Sequence, residues 1–363
     1  MKLKLFSKLF FVGVAALNVL AAVAYLLSAF SPYVNPAEHK YLACMGLAFP
    51  VFALVQVGFV FVWAALRRAF VLVPIVTLLL GWGSLTDYFS LGSASEAGEG
   101  AVKVLTWNVG GKLFHPRLKS VDENPALRYV MESGADIVCL QEAYPGNGRR
   151  RHWADKVLAE RYPYREYSRI AGGNGMTCLS RFPIVSAERI AYESAGNGSF
   201  LYRIRMGEDT VVVVNNHLES NRLSGDDKVE YRSVLSRSAS KDSIEAVGKN
   251  LLHKLADAGQ RRAPQADSVA KALRQSAARL TVVCGDFNDS PVSYAHRVIS
   301  EGFDDAFVKG GFGIGVSYHD SRMYVRIDHI LVSKAWRVTR CVVDNKMGES
   351  DHYPVWATLM HEP

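Results

Sequence analysis

Residues 9 to 30, 41 to 66 and 69 to 86 contain no Asp, Glu, Lys or Arg, which constrains the fold of this 363-residue chain more than any other feature. Runs of 22, 26 and 18 uncharged residues match the roughly 20 needed to cross a bilayer as a helix. A cleaved signal peptide would account for the first run, since Lys2, Lys4 and Lys8 precede it, but not for two more directly behind it. The sequence therefore predicts an anchor over 1–90 with three membrane helices, at about 9–30, 41–66 and 69–86. Lys2, Lys4, Lys8 and the pair Arg67 and Arg68 mark the cytoplasmic side, because loops rich in cations are retained there. Three crossings put everything after residue 90 outside the cytoplasm. Pro74, Gly81 and Gly83 make the third run the least regular, and without it the remainder would face the other way.

Charge returns after that point. Leu91 to Gly100 (LGSASEAGEG) has the small, polar, Gly-rich composition of a linker, set at 91–101, and a second domain spans 102–363. Its apolar runs end in polar residues: Val102 to Asn108, Asp136 to Glu142, Val211 to His217 and Thr281 to Asn288. An apolar run closed by a polar cluster reads as a buried strand whose carboxyl end faces a ligand crevice. Leu201 to Arg205 and Val211 to His217 read as a hairpin, and Arg326 to Ser333, Ala335 to Val343 and Tyr353 to Leu359 as further strands. Between His217 and Thr281 the chain is mostly helical. Its stretch 221–262 carries nine Lys/Arg and six Asp/Glu, interspersed as on a solvated helical insertion; a lid or membrane-facing element is the competing reading.

The strand ends offer Asn108, Glu142, His217, Asp286 with Asn288, and Asp351 with His352. Asp328 lies inside an otherwise apolar run, where an unpaired carboxylate would cost several kcal/mol, about the price of burying any lone charge, so it needs a partner, most plausibly a His. Asn108, Glu142 and Asp286 are hard oxygen donors with no thiolate among them, which favours Mg²⁺ or Mn²⁺ over zinc. His217 and His352 can carry a proton near neutral pH. Five Cys with no CxxC pair signal neither a zinc site nor a disulfide framework. The net charge of +7 includes six Lys/Arg against four Asp/Glu in residues 1–100, leaving a mild basic bias of about +5, compatible with an anionic substrate or a lipid surface.

In order, Thr-Trp-Asn108-Val, Leu-Gln-Glu142, Ser-Arg181-Phe-Pro-Ile, Asn-His217-Leu-Glu-Ser, Gly-Asp286-Phe-Asn288, Ile-Asp328-His-Ile and Ser-Asp351-His352-Tyr-Pro resemble the motifs of the endonuclease/exonuclease/phosphatase (DNase I-like) superfamily. The resemblance covers roughly residues 102 to 360. It implies a four-layer α/β sandwich, two packed mixed β-sheets flanked by helices, with the site at one end of the sheets. It further implies Glu142, Asn108 and Asp351 on the metal side, His352 as base oriented by Asp328, and Asp286 with Asn288 aligning nucleophile and phosphoryl oxygens. His217 would stabilise charge on the phosphate or its leaving oxygen, and Arg181 would either contact the substrate phosphate or only cap the loop after its strand. His329 should turn to the opposite sheet face, and Trp107 reads as core.

These readings predict a membrane-anchored, divalent-metal-dependent phosphoesterase in a bacterial inner membrane, its catalytic domain extracytoplasmic. Its partners would be a phosphoester substrate and the lipid bilayer; no protein partner is inferred. Tethering favours a phospholipid or lipid-linked headgroup. A nuclease is the alternative, for which the cluster Arg149 to Trp153 is the best support, since no longer basic stripe with interleaved aromatics is evident. A non-catalytic phosphoester-binding protein is the remote alternative, disfavoured because Glu142, Asp286, Asp328 and His352 are all present.

Overall fold

The computed structural model describes residues 2–115, 120–170, 175–236 and 240–361. The apolar amino-terminal part is helical: α1 (Lys2–Phe30), α2 (Pro36–Ala43), α3 (Phe49–Ala65), α4 (Leu72–Leu80) and α5 (Trp82–Tyr88). Two stretches, Lys8–Tyr33 and Pro36–Ala65, are long and apolar enough to cross a membrane. The third run is not one straight helix, because α5 turns 64° away from α4. With 9 and 7 residues, neither half reaches the roughly 30 Å of a hydrocarbon core at about 1.5 Å per residue. The bend falls at Gly81, where an added Cβ would lie 2.5 Å from the Tyr25 hydroxyl. The ring of Tyr25 on α1 thus occupies the space of a side chain at the break.

There follow β1 (Ser90–Leu91), β2 (Val102–Asn108), α6 (Pro125–Glu132), β3 (Ile137–Gln141), α7 (Arg149–Leu158), β4 (Tyr164–Arg169), β5 (Gly175–Ser180), β6 (Ile184–Ile190), β7 (Gly198–Met206) and β8 (Asp209–His217). Next come α8 (Gly225–Leu235), α9 (Lys241–Ser276), β9 (Leu280–Asp286), α10 (Tyr294–Ser300), β10 (Phe303–Asp305), α11 (Ala306–Gly310) and β11 (Phe312–Gly313). The chain closes with β12 (Asp328–Ser333), β13 (Trp336–Val343) and β14 (Val355–His361).

Two six-stranded sheets form, in the orders β13-β14-β2-β3-β5-β4 and β10-β12-β9-β8-β7-β6. Strand alternation explains how they stack. On β2, Val102 and Val104 join Val213, Val282 and Ile330 of the other sheet in the inter-sheet core, while Leu105 and Trp107 point out against Leu127 of α6 and Leu158 of α7. On β9, Val282 faces inward and Val283 outward against Ala266 and Val269 of α9 and Ile299 of α10. Both faces of each central strand are buried, which is why these strands read as unbroken apolar runs. The four layers are helices, sheet, sheet, helices. Cys139, Cys178, Cys284 and Cys341 are buried free thiols, and Cys44 is free and half-buried.

Strand direction decides which residues share an end. β2 and β3 are parallel, with Asn108 opposite Gln141; β8 and β9 are parallel, with His217 opposite Asp286. β12 and β14 run antiparallel to β9 and β2, so they begin where the others stop: Asp328 faces Asp286, and Val355 faces Thr106. One end of the sandwich therefore gathers the carboxyl ends of β2, β3, β8 and β9 with the amino ends of β12 and β14.

Most described residues of 221–262 are exposed, as on the expected solvated insertion, while Asp227, Val247, Ala256, Ala258 and Arg262 are buried. Ser224 and Asp227 form a capping box at the start of α8, and Asp227 also accepts from Asn250 and Lys254 of α9. Beyond residue 262 the rest of α9 packs more fully, with Ala263, Ala266, Val269 and Leu273 buried. Toward the anchor, Asp257 pairs with Lys40 at 2.6 Å and His253 meets the Tyr41 hydroxyl at 3.0 Å. The sequence hid this because the buried stripe is largely Ala, a weak apolar signal beside interspersed charges.

The amino-terminal helices are docked elsewhere too. Tyr25, Ala29, Phe49 and Ala53 form one apolar cluster with Val292, and a Cβ on Gly46 would lie 2.1 Å from the Val292 carbonyl oxygen. Arg297 Nε donates to Pro32 O at 2.8 Å, and Arg326 Nη2 donates to Asp87 O. Within the linker, Ser95 N donates to Thr339 O at 2.8 Å, so that segment lies along the second domain.

Candidate active site

Asp286 sits at the centre of the gathered strand ends, 1% exposed. Its Oδ2 accepts from Asn108 Nδ2 at 3.0 Å and lies 3.7 Å from both His217 Nε2 and His352 Nε2. Its Oδ1 accepts the backbone N–H of Asn288 at 2.8 Å, which closes the turn after β9 with Asn288 in the left-handed region at φ 52°. Gly285 precedes it at φ 128°, and a Cβ there would lie 2.0 Å from Asn216 O. Only glycine lets β8 and β9 approach this closely while presenting His217 and Asp286 side by side.

His352 and Asp328 form a buried pair, with His352 Nδ1 to Asp328 Oδ2 at 2.8 Å. Asp328 is fixed from behind by its own N–H, which donates to Ser317 Oγ at 3.0 Å. Trp107 Nε1 donates to His352 O at 2.8 Å, and the Tyr318 ring meets the imidazole edge-on at 5.0 Å. Burial opposes charge on His352, but the carboxylates of Asp328, Asp286 and Asp351 outweigh it and raise its pKa to about 10.

Glu142 follows β3 with φ 51° and is the open member of the group, its side chain 38% exposed. Its Oε1 lies 3.4 Å from Asn108 Nδ2 and 4.0 Å from His217 Nε2. Asp351 lines the same cleft and accepts from Ser350 Oγ at 3.2 Å, and Ser350 Oγ also reaches Asn108 O at 2.8 Å. Carboxylate oxygens of Glu142 and Asp286 thus converge on one amide NH₂, a cluster of hard oxygen donors that fits a divalent cation. Asp286, Asp328 and His352 also bring ligand atoms within 4.8 Å of one another, but His352 Nδ1 is already held by Asp328.

One expectation needs correction. Arg181 is not in the cleft: it pairs with Asp136 at 2.7 Å, at the amino end of β3. β5 is antiparallel to β3, so its carboxyl end falls at the far end of the sheet, about 20 Å from Glu142 at roughly 3.3 Å per residue. Asn288 lines the cleft as expected, and its NH₂ donates to Leu218 O at 2.9 Å, which fixes the side chain there. His329 turns to the other face, against Phe287 and His296. In the basic cluster, Arg151 is tied to Asp155 at 3.2 Å and stacked on Tyr167. The sequence reading missed Ser317 and Tyr318, which sit in no apolar run, and Lys228, which lines the cleft and pairs with Asp320 at 2.6 Å.

The Endonuclease/Exonuclease/phosphatase family matches residues 105–352, about two thirds of the chain and every motif that builds this cleft. The chain belongs to that family. As a member it is a phosphoester hydrolase, in a family that depends on divalent metal. Residues 7–88 match a second family, described as a domain of unknown function (DUF8431). No curated protein matches the chain. Among solved structures, truncated Caenorhabditis elegans TDP2 is similar at a TM-score of 0.51 and 19% identity, covering 73% of this chain and 100% of that one. The endonuclease/exonuclease/phosphatase from Bacteroides vulgatus follows at 0.48 and 16%, covering 73% and 100%. The human Nocturnin catalytic domain gives 0.48 and 14%, covering 72% and 95%. At such identities the likeness to TDP2 concerns the fold alone.

Proposed function

We propose that this chain is a membrane-anchored phosphoesterase that uses Mg²⁺ or Mn²⁺ and acts outside the cytoplasm on a phospholipid or lipid-linked phosphoester. The observation that carries the reading is the His352–Asp328 contact set beside Asp286, Asn108, His217 and Glu142 in one cleft. In this reading His352 Nε2 takes the proton of the attacking water, while Asp328 holds Nδ1 and stabilises the imidazolium that results. Asp286 orients that water, and Asn288 keeps Asp286 in place through its backbone N–H. His217 faces the charge that builds on the phosphoryl group. Glu142, Asp286 and Asn108, with Asp351 on the rim, would hold the metal. Such an ion would supply Lewis-acid stabilisation of phosphoryl charge and would offset the carboxylate charge around His352.

Two membrane-crossing candidates in α1 and in the stretch Pro36–Ala65, docked against the second domain, support action at a bilayer. The test is full-length protein in detergent with bis-p-nitrophenyl phosphate. Hydrolysis should require Mg²⁺ or Mn²⁺ and stop with EDTA; no metal-dependent hydrolysis across a broad phosphoester panel would overturn the reading. Liposome and plasmid digestions run side by side separate the lipid substrate from a nucleic acid one.

A further inference from the structure

The cleft that holds Asp286 and His352 is not built by the catalytic domain alone. Its volume is about 780 Å³, within the usual range for small-molecule sites, and Leu47, Pro50 and Val51 of the anchor line it together with Tyr88 at the end of α5. Tyr231 of α8 and Leu251 and Leu255 of α9 contribute to the same cleft from the insertion. The strand ends thus supply charged and hydrogen-bonding groups, and the anchor and insertion supply an apolar flank. Nothing in hydrolysing a small, fully charged phosphoester calls for such a flank.

The flank's position gives its purpose. Leu47 just before α3 and Pro50 and Val51 in its first turn lie inside the stretch Pro36–Ala65 that is long and apolar enough to cross a membrane. This end of α3 is pressed on the catalytic domain through Gly46 and Val292, so the flank is fixed in place. Val51 is 58% exposed, an apolar surface left open between cleft and membrane helices. On the insertion, Val229, Leu235, Ile244 and Leu252 are likewise exposed, and the Lys40–Asp257 pair ties this element to the anchor. An exposed apolar surface continuous with membrane-crossing helices is where a hydrocarbon chain can pass without entering water.

We infer that the anchor forms one wall of the active site, and that this wall binds the hydrocarbon chain of a phosphoester substrate still seated in the bilayer. This rests on the phosphoesterase reading and adds to it the substrate's second half and the residues that select it. Val51 and Leu251 are specificity determinants, because each buries methylenes of the chain next to the phosphoester. At about fourfold in binding per methylene buried, two or three such groups give a preference well above tenfold.

The experiment uses the full chain in nanodiscs with two probes, ethyl p-nitrophenyl phosphate and hexadecyl p-nitrophenyl phosphate, and reads the ratio of their kcat/KM values. Wild-type protein should favour the hexadecyl ester. Val51→Trp and Leu251→Trp, which fill the flank from the anchor and from the insertion without adding charge, should each lower that ratio at least tenfold in the same nanodiscs. Partitioning of the long ester is common to all three proteins and cancels. A ratio unchanged in both variants, or a wild-type enzyme with no chain preference or with plasmid DNA as its better substrate, would overturn the inference. Metal-dependent hydrolysis of the ethyl ester would still stand in those cases; its absence would instead remove the phosphoesterase reading.

Discussion

At the scale of single residues, the site depends on a few groups with one geometry available to each. His352 can present Nε2 to water only while Nδ1–H has an acceptor, and Asp328 is that acceptor at 2.8 Å. His352→Ala should lower turnover by at least the roughly 10²-fold typical of a lost general base. Asp328→Asn should also be impaired, since an amide can offer its NH₂ to the ring and favour the wrong tautomer. If the two act as one unit, the double variant will be little slower than His352→Ala alone; multiplicative losses in steady-state turnover would show that Asp328 works separately. Glu142 and Asn288 stand at φ 51° and 52°, and backbone held in that region costs about 1–3 kcal/mol per residue. Their strain coincides with the turns that aim functional groups into the cleft.

At the scale of elements, α8 is held on α9 by one carboxylate. Asp227 lies at 2.5 to 2.7 Å from Lys254 and also accepts from Ser224 and Asn250, and these hydrogen bonds, led by Lys254, hold its pKa well below the usual carboxylate range. A carboxylate with a depressed folded-state pKa binds fewer protons folded than unfolded, so its contribution is full above about pH 4 and is lost as pH falls further. Asp227→Asn should therefore melt earlier than wild type at pH 7, with the two curves converging below pH 4 in a thermal-shift series; a constant gap across that range would exclude this linkage. The same element shows what the sequence could and could not say. The strands β2, β3, β8, β9 and β12 were legible because two-sided burial writes itself as apolar runs, and the site was legible because parallel strands put their polar ends together. Strand direction was not legible, so the sequence left open whether Arg181 reaches the cleft or caps its loop; β5 runs antiparallel to β3 and puts it at the far end. The contacts of 221–262 with the anchor were hidden for a different reason, since pairs such as Lys40 with Asp257 join residues 217 positions apart and leave no local pattern.

At the scale of the whole molecule, the anchor and the sandwich meet through specific contacts: Gly46 on Val292, Arg297 on Pro32 and Arg326 on Asp87. The proposed topology, with cations at 2, 4, 8, 67 and 68 on the retained side, predicts that a reporter enzyme fused after Pro363 reads outside the cytoplasm. A cytoplasmic signal would mean that the bent pair α4 and α5 does not cross. The docking also has a consequence for the order of assembly. Pro32 and its donor Arg297 are 265 residues apart, and Asp87 and Arg326 are 239 apart. At about 5–20 residues per second, a ribosome that has just made Pro32 needs roughly 13 to 50 seconds to reach Arg297. For that interval the first helices exist without the surface they rest on, so the newborn anchor must wait, its domain-facing end bare, for nearly the last part of the chain to arrive.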